Sequence, residues 1–113
     1  MSHTRYCRAR ITALNTSVAR EVLRQLVKQF GGRLVDVGIV WGTYAYYKLR
    51  ATGRGVEWVY DDYAAPVKFR EFEKMFMTRY NALMMMKALR GLGYQTAMRE
   101  VAKGIVVTGV KMA

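Results

Sequence analysis

Along RYCRARITAL (5–14) apolar and polar residues alternate: Cys7, Ala9, Ile11 and Ala13 fall on one side, Tyr6, Arg8, Arg10 and Thr12 on the other. A period of two predicts a strand with one apolar and one basic face. The period then lengthens. Asn15, Thr16 and Ser17 are helix-capping residue types, and Val18, Val22, Leu23, Leu26, Val27 and Phe30 recur at helical spacing behind them. Gly31-Gly32 ends this first helix, because glycine enters the left-handed conformation without a Cβ clash.

Three short strands are predicted next. RLVDVGIVW (33–41) places Val35, Val37, Ile39 and Trp41 on one face, and Gly42-Thr43 then turns the chain. YAYYKLRA (44–51) sets Tyr44, Tyr46, Lys48 and Arg50 against Ala45, Tyr47 and Leu49. The tip Gly53-Arg54-Gly55 leads into VEWVYD (56–61), which completes an antiparallel meander. Asp61, Asp62 and Pro66 break the chain, and Pro66 suits the first turn of a helix. The stretch from Val67 then reads as one long helix, with Phe69, Phe72, Phe76, Tyr80, Leu83 and Lys87 as its inward stripe and Gly91 or Gly93 as its stop. YQTAMREV–AKG–IVVTGVKM closes the chain as a hairpin. The order β-α-β-β-β-α-β-β predicts an α+β fold: an antiparallel sheet of about six strands with two helices packed on one face.

At 113 residues the chain has room for a single domain, residues 1–113, and 52% hydrophobic residues suffice for a core. No stretch approaches the ~18 apolar residues of a membrane span. MSHTRYCRAR lacks the apolar centre of a secretory signal, so a cytoplasmic location is expected, with no membrane partner. Cys7 is the sole cysteine and cannot form an internal disulfide.

Charge narrows the class of partner. Lys and Arg number 19 against 8 Asp and Glu, a formal charge of +11. A domain this small and basic needs an anionic partner to neutralise it, and nucleic acid is the usual one. On the predicted strands, Arg8 and Arg10 share a face with Tyr6, just after Arg5; Tyr44, Tyr46, Lys48 and Arg50 share another, near Arg54 at the hairpin tip. Cations hold phosphates, and tyrosine rings stack on unpaired bases. The expected nucleic-acid site is therefore Arg5, Arg8, Arg10, Tyr44, Tyr46, Lys48, Arg50 and Arg54. Against this stands the reading in which the tyrosines merely cover the sheet under a helix and the arginines solvate its rim. No zinc-finger spacing, glycine-x-x-glycine clamp or RNA-recognition sheet motif is present. Phosphate-led binding, RNA preferred, is expected, as in a component of the ribosome or another ribonucleoprotein.

The run Met84-Met85-Met86 offers a second theme. Successive helical residues are about 100° apart, so three methionines sweep roughly 200° of the surface. Met84 and Met86 can flank the aromatic stripe. Met85 points away, near Met77, and is left for second-layer packing, a protein contact or a soft-metal thioether. The Met77/Met85 surface is the alternative functional reading, a protein-interaction or self-assembly module.

Catalysis has little to work with. His3 is the only histidine and lies at the terminus, so no Ser-His-Asp or Cys-His pair forms without it. Asp61 and Asp62 are adjacent and would point to opposite faces of a strand. No phosphate-binding glycine loop occurs, since Gly53-Arg54-Gly55 sits at a hairpin tip. A non-enzymatic protein without cofactor or metal is expected.

Met1-Ser2-His3, VEWVYDD in the third meander strand, Phe72 and Thr78-Arg79-Tyr80 in the long helix, and Gly93-Tyr94 before the last hairpin occur in that order. In these pieces the chain resembles a small family named for a conserved plastid and cyanobacterial reading frame, of the ycf-thirty-five type, whose domain has no known function. It departs from that pattern in being more basic and in ending on Lys111-Met112-Ala113 instead of a tryptophan-containing strand. The resemblance implies the fold and brings no activity.

Overall fold

A computed structural model describes residues 4–111; His3, Met112 and the rest of the Met1-Ser2-His3 and closing segments lie outside them. The class is α+β, as the patterning predicts. β1 (Arg5–Arg8), β2 (Arg33–Leu34), β3 (Gly38–Trp41), β4 (Ala45–Thr52) and β5 (Gly55–Asp61) form one antiparallel sheet in the order β1-β5-β4-β3-β2. α1 (Thr16–Phe30) and α2 (Phe69–Gly91) pack together against one side of it. The closing strands β6 (Tyr94–Val101) and β7 (Gly104–Lys111) do not join this sheet but form a two-stranded one of their own.

α1 begins where its cap dictates. The Asn15 side chain accepts from the Val18 N–H at 3.0 Å, while the Asn15 N–H donates to the Tyr80 hydroxyl of α2 at 3.0 Å. One residue thereby starts a helix and ties it to the other. The helix closes at Gly31, whose φ of 76° only glycine adopts without strain, and whose carbonyl accepts from Trp41 Nε1 at 3.1 Å. The expected strand 33–41 is broken in two. Asp36 takes a φ of 51°, reversing the chain, and Arg20 of α1 fixes that bend by donating to its carbonyl at 2.5 Å.

The core lies between the sheet and α2. Trp58, Tyr47, Phe72 and Phe76 are fully buried, and their rings meet mostly edge-on: Trp41–Tyr47 at 5.0 Å, Trp58–Phe76 at 5.0 Å and Tyr47–Phe69 at 5.3 Å. Such pairs add about 0.5–1.5 kcal/mol each to the burial of their area. The Tyr47 hydroxyl donates to the Val67 carbonyl at 2.5 Å, which anchors the approach to α2. Pro66 lies in that approach, and the helix itself begins at Phe69.

With 23 residues, α2 is about 35 Å long and overhangs a sheet whose longest strand has 8. The inward stripe therefore runs as predicted through Phe69, Phe72, Phe76, Tyr80 and Leu83, but Lys87 is exposed beyond the sheet's end. The hairpin folds back along the overhang. A methyl placed on Gly109 would touch Leu89, one on Gly104 would touch Thr78, and Arg79 pairs with Glu100 at 3.3 Å. Ala82 and Met86, between those helix positions, are buried apart from the aromatic core.

Candidate nucleic-acid interface

The register assigns every strand residue to a face. Leu34, Ile39, Tyr47, Tyr60 and Arg5 lie in one line across the sheet, with Cys7, Trp58 and Leu49 in the next but one, and this face meets the helices. The opposite face carries the intervening lines: Arg8–Glu57–Arg50, Tyr6–Val59–Lys48–Gly38, and Asp61–Tyr46–Val40–Arg33. Among the described residues no helix or strand packs on it. Tyr6, Arg8, Tyr46, Lys48 and Arg50 therefore lie on the side that no helix covers.

Side-chain contacts order this open face. Arg50 Nε donates to Glu57 Oε1 at 2.6 Å, and the Arg50 guanidinium lies over the Tyr6 ring, 5.3 Å from its centre. Lys48 Nζ is 5.4 Å from the centre of the Tyr46 ring, whose hydroxyl shares a hydrogen bond with Thr4 Oγ1 at 3.0 Å. Asp61 is the exception in this setting. Its carboxylate is buried and accepts from the Tyr63 N–H at 3.0 Å, so it ends the strand, as its residue type suggests.

Four expected residues sit on the open face or its rim: Arg8, Tyr46, Lys48 and Arg50, with Arg54 exposed at the adjoining β4–β5 tip. Three lie elsewhere. Arg5 shares the helix-covered face and lines a groove with Cys7, Tyr60, Lys68 and Glu73. Arg10 follows β1 in a bend, because the strand ends at Arg8 and not at residue 14; it lies in a groove with Glu73 and Met77 of α2. Tyr44 precedes β4, 57% exposed in the turn, with its ring edge-on to Tyr63 at 6.3 Å. Alternation fails at both sites because pairing has stopped.

Sequence reasoning passed over Arg33, Tyr63 and, as a site residue, Tyr6. Tyr6 is 61% exposed, and its parity with Arg8 was the signal for it. Arg33 is exposed on β2, a strand of two residues too short to show a period, and Tyr63 stands in a loop with no periodic signal.

The methionines separate cleanly. Met84 packs against the aromatic core, Met86 is buried, and Met85 is 54% exposed. Met77 is half-exposed and packs partly on the core, so Met85 is the more exposed of the two.

Cys7 is half-buried beside Glu73, its Sγ 3.9 Å from Glu73 Oε2. Burial, and next the Glu73 carboxylate, push its thiol above the ordinary range. That suits a packed thiol and not a ready nucleophile. Among the described residues no three His, Cys, Asp or Glu side chains converge on a metal site, and no helix is long and apolar enough to cross a membrane. Comparison with known proteins finds no protein-family model, no curated protein and no solved structure that matches this chain.

Proposed function

We propose that this is a non-enzymatic nucleic-acid-binding protein, RNA preferred, working in the cytoplasm as a component of the ribosome or another ribonucleoprotein. One observation carries the reading: a sheet face left open by the helices bears Arg8, Arg33, Lys48 and Arg50 beside Tyr6 and Tyr46. Among the described strand residues of that face the only carboxylates are Glu57, already paired, and Asp61, buried. An excess of cations on an exposed surface concentrates a polyanion and costs self-repulsion without one. Arg8 and Lys48 hold phosphates in this reading, with Arg33 and Arg54 extending the contact to either side.

Fluorescence anisotropy with labelled structured RNA, single-stranded RNA and duplex DNA across a salt series tests it. Each phosphate neutralised contributes about −0.9 to the slope of log K against log salt on B-DNA and about −0.7 on a single strand. A slope requiring several contacts, with RNA bound more tightly, supports the proposal. Replacing Arg8, Arg33, Lys48 and Arg50 together with alanine weakens binding and flattens the slope. Unchanged affinity in that variant removes the site assignment.

The exposure of Met85 favours a second reading, contact with a neighbouring protein or self-association through α2. Strict monomer behaviour in light scattering at high concentration, with Met85→Glu harmless to partner binding, removes it.

A further inference from the structure

We propose that Tyr6 is a base-stacking platform and that the open sheet face takes an unpaired, single-stranded stretch of nucleic acid, an inference that rests on the nucleic-acid reading above. Tyr6 stands on β1, the edge strand, with its ring 61% exposed although it is among the largest side chains of the face. A lone exposed tyrosine needs no explanation. This one is held. The Arg50 guanidinium lies 5.3 Å from the ring centre, and Glu57, on the strand between, anchors Arg50 through Nε at 2.6 Å. Three residues on three adjacent strands thereby fix a ring that would otherwise sample several rotamers.

That arrangement changes the role of Arg50. With its charge paired to Glu57 and its guanidinium over Tyr6, it is a positioning residue for the ring, and phosphate holding falls to its neighbours. Arg8, directly opposite Glu57, and Lys48, on the same line as Tyr6 with its ammonium against Tyr46, form no ion pair among the described residues. Val59 lies half-buried between Tyr6 and Lys48, an apolar floor on which a base can rest.

A pre-set ring with cations on either side matches a nucleotide whose base is unstacked. In a duplex the π-faces of the bases already cover one another, whereas a single strand presents them to an aromatic side chain. A ring ordered before binding loses less entropy when the base arrives. The same ring offers nothing to a phosphate, so its contribution is separable from that of the charge.

The test uses fluorescein-labelled single-stranded RNA of about twelve nucleotides, within the ~4–16 that one single-strand-binding OB fold covers, and an abasic strand with the same phosphates. Tyr6→Ala lowers affinity for the ordinary strand by about 5- to 150-fold, the range for loss of one stacked base. It leaves the abasic strand and the salt slope unchanged. Tyr6→Phe retains binding, and Tyr6→Leu, apolar but without a π-face, behaves as Tyr6→Ala, which separates stacking from loss of fold. Equal affinity of ordinary and abasic strands for the unsubstituted protein, or full binding by both Tyr6→Ala and Tyr6→Leu, overturns the inference while a steep salt slope keeps the nucleic-acid reading. Absence of binding to either strand overturns both.

Discussion

The stem of Lys48 lies across Gly38 so closely that a methyl on Gly38 would stand 2.5 Å from Lys48 Cγ. Both residues are on the open face, directly opposite each other on β3 and β4. The same methyl would come within 2.8 Å of the Tyr47 carbonyl oxygen and 2.9 Å of Lys48 Cα, which are backbone and cannot swing aside. Gly38→Ala is therefore expected to destabilise the fold by about 1–3 kcal/mol, the usual cost of an overpacked site. Gly53→Ala, at a tip with nothing within 4 Å, stays within about 0.5 kcal/mol. Urea unfolding of the two variants checks the pair. Because Lys48 is displaced as well, only Gly38→Ala also loses affinity for RNA.

Tyr47 sets an alkaline limit on the fold. Burial, then the charges of Asp62 and Tyr60, raise its hydroxyl well above the ordinary tyrosine range, and the proton is committed to the Val67 carbonyl. A group whose folded pKa is raised contributes fully below its unfolded pKa, here about 10, and the contribution is lost as pH climbs from there. Stability should fall above pH ~10 for this reason. Tyr47→Phe costs about 1–2 kcal/mol at neutral pH by leaving the carbonyl unpaired, and it makes the decline above pH ~10 shallower. Thermal melts of both proteins from neutral to strongly alkaline pH provide the comparison. Parallel curves would show that Tyr47 does not govern the limit.

What was legible in the sequence were the stretches where one period runs unbroken. β4 alternates from Ala45 to Arg50 and β5 from Gly55 to Val59 because helices cover one side and none covers the other, so Tyr47, Leu49 and Trp58 separate from Tyr46, Lys48 and Arg50 without ambiguity. Where pairing stops, the period carries no information. Arg10 and Tyr44 sit one or two residues beyond a strand, and their side chains follow the bend and the turn. Asp36 divides the strand expected at 33–41 through a positive φ that glycine or asparagine would have advertised. Lys87 continues the helical spacing of Phe76 and Tyr80, but the sheet has ended beneath it. That boundary depends on relative lengths of elements that meet only in the fold.

The β6–β7 hairpin should be the first part of the chain to open. It touches the rest of the protein through α2, most of its side chains are exposed, and in its ion pair Arg79–Glu100 the carboxylate side is exposed. Such a pair contributes about 0–1 kcal/mol, and a two-stranded ribbon is marginal without a partner surface. Amide hydrogens of Thr96–Thr108 are expected to exchange well before those of Tyr47–Arg50 and Trp58–Tyr60, by local opening and not by global unfolding. Mass-spectrometric exchange reads this directly. Equal protection of hairpin and meander would mean that the two unfold as one unit.

Neighbouring methionines in α2 should differ sharply. Met86→Ala removes a buried side chain beside the groove between α1 and α2, at a cost of about 2–5 kcal/mol. Met85→Ala, one residue earlier and exposed, stays within about 0.5 kcal/mol. Chemical denaturation of the two variants decides it, and similar losses would place Met85 in the packing after all.

Glu57 restrains the charge of the open face, and removing it should strengthen one component of binding while weakening another. Its carboxylate pairs with Arg50 and stands directly opposite Arg8, so it offsets positive potential where phosphates are proposed to sit. Glu57→Gln keeps the shape and removes the charge. Released from its partner, Arg50 can reach a phosphate, and the slope of log K against log salt on single-stranded RNA steepens by up to about 0.7. The Tyr6 ring at the same time loses its fixed support, so the preference for an ordinary over an abasic strand narrows. Titrations of both strands across a salt series with Glu57→Gln separate the two effects. An unchanged slope would mean that Arg50 and Arg8 meet no phosphate even when freed, and would move the electrostatic contact to Lys48 and Arg33.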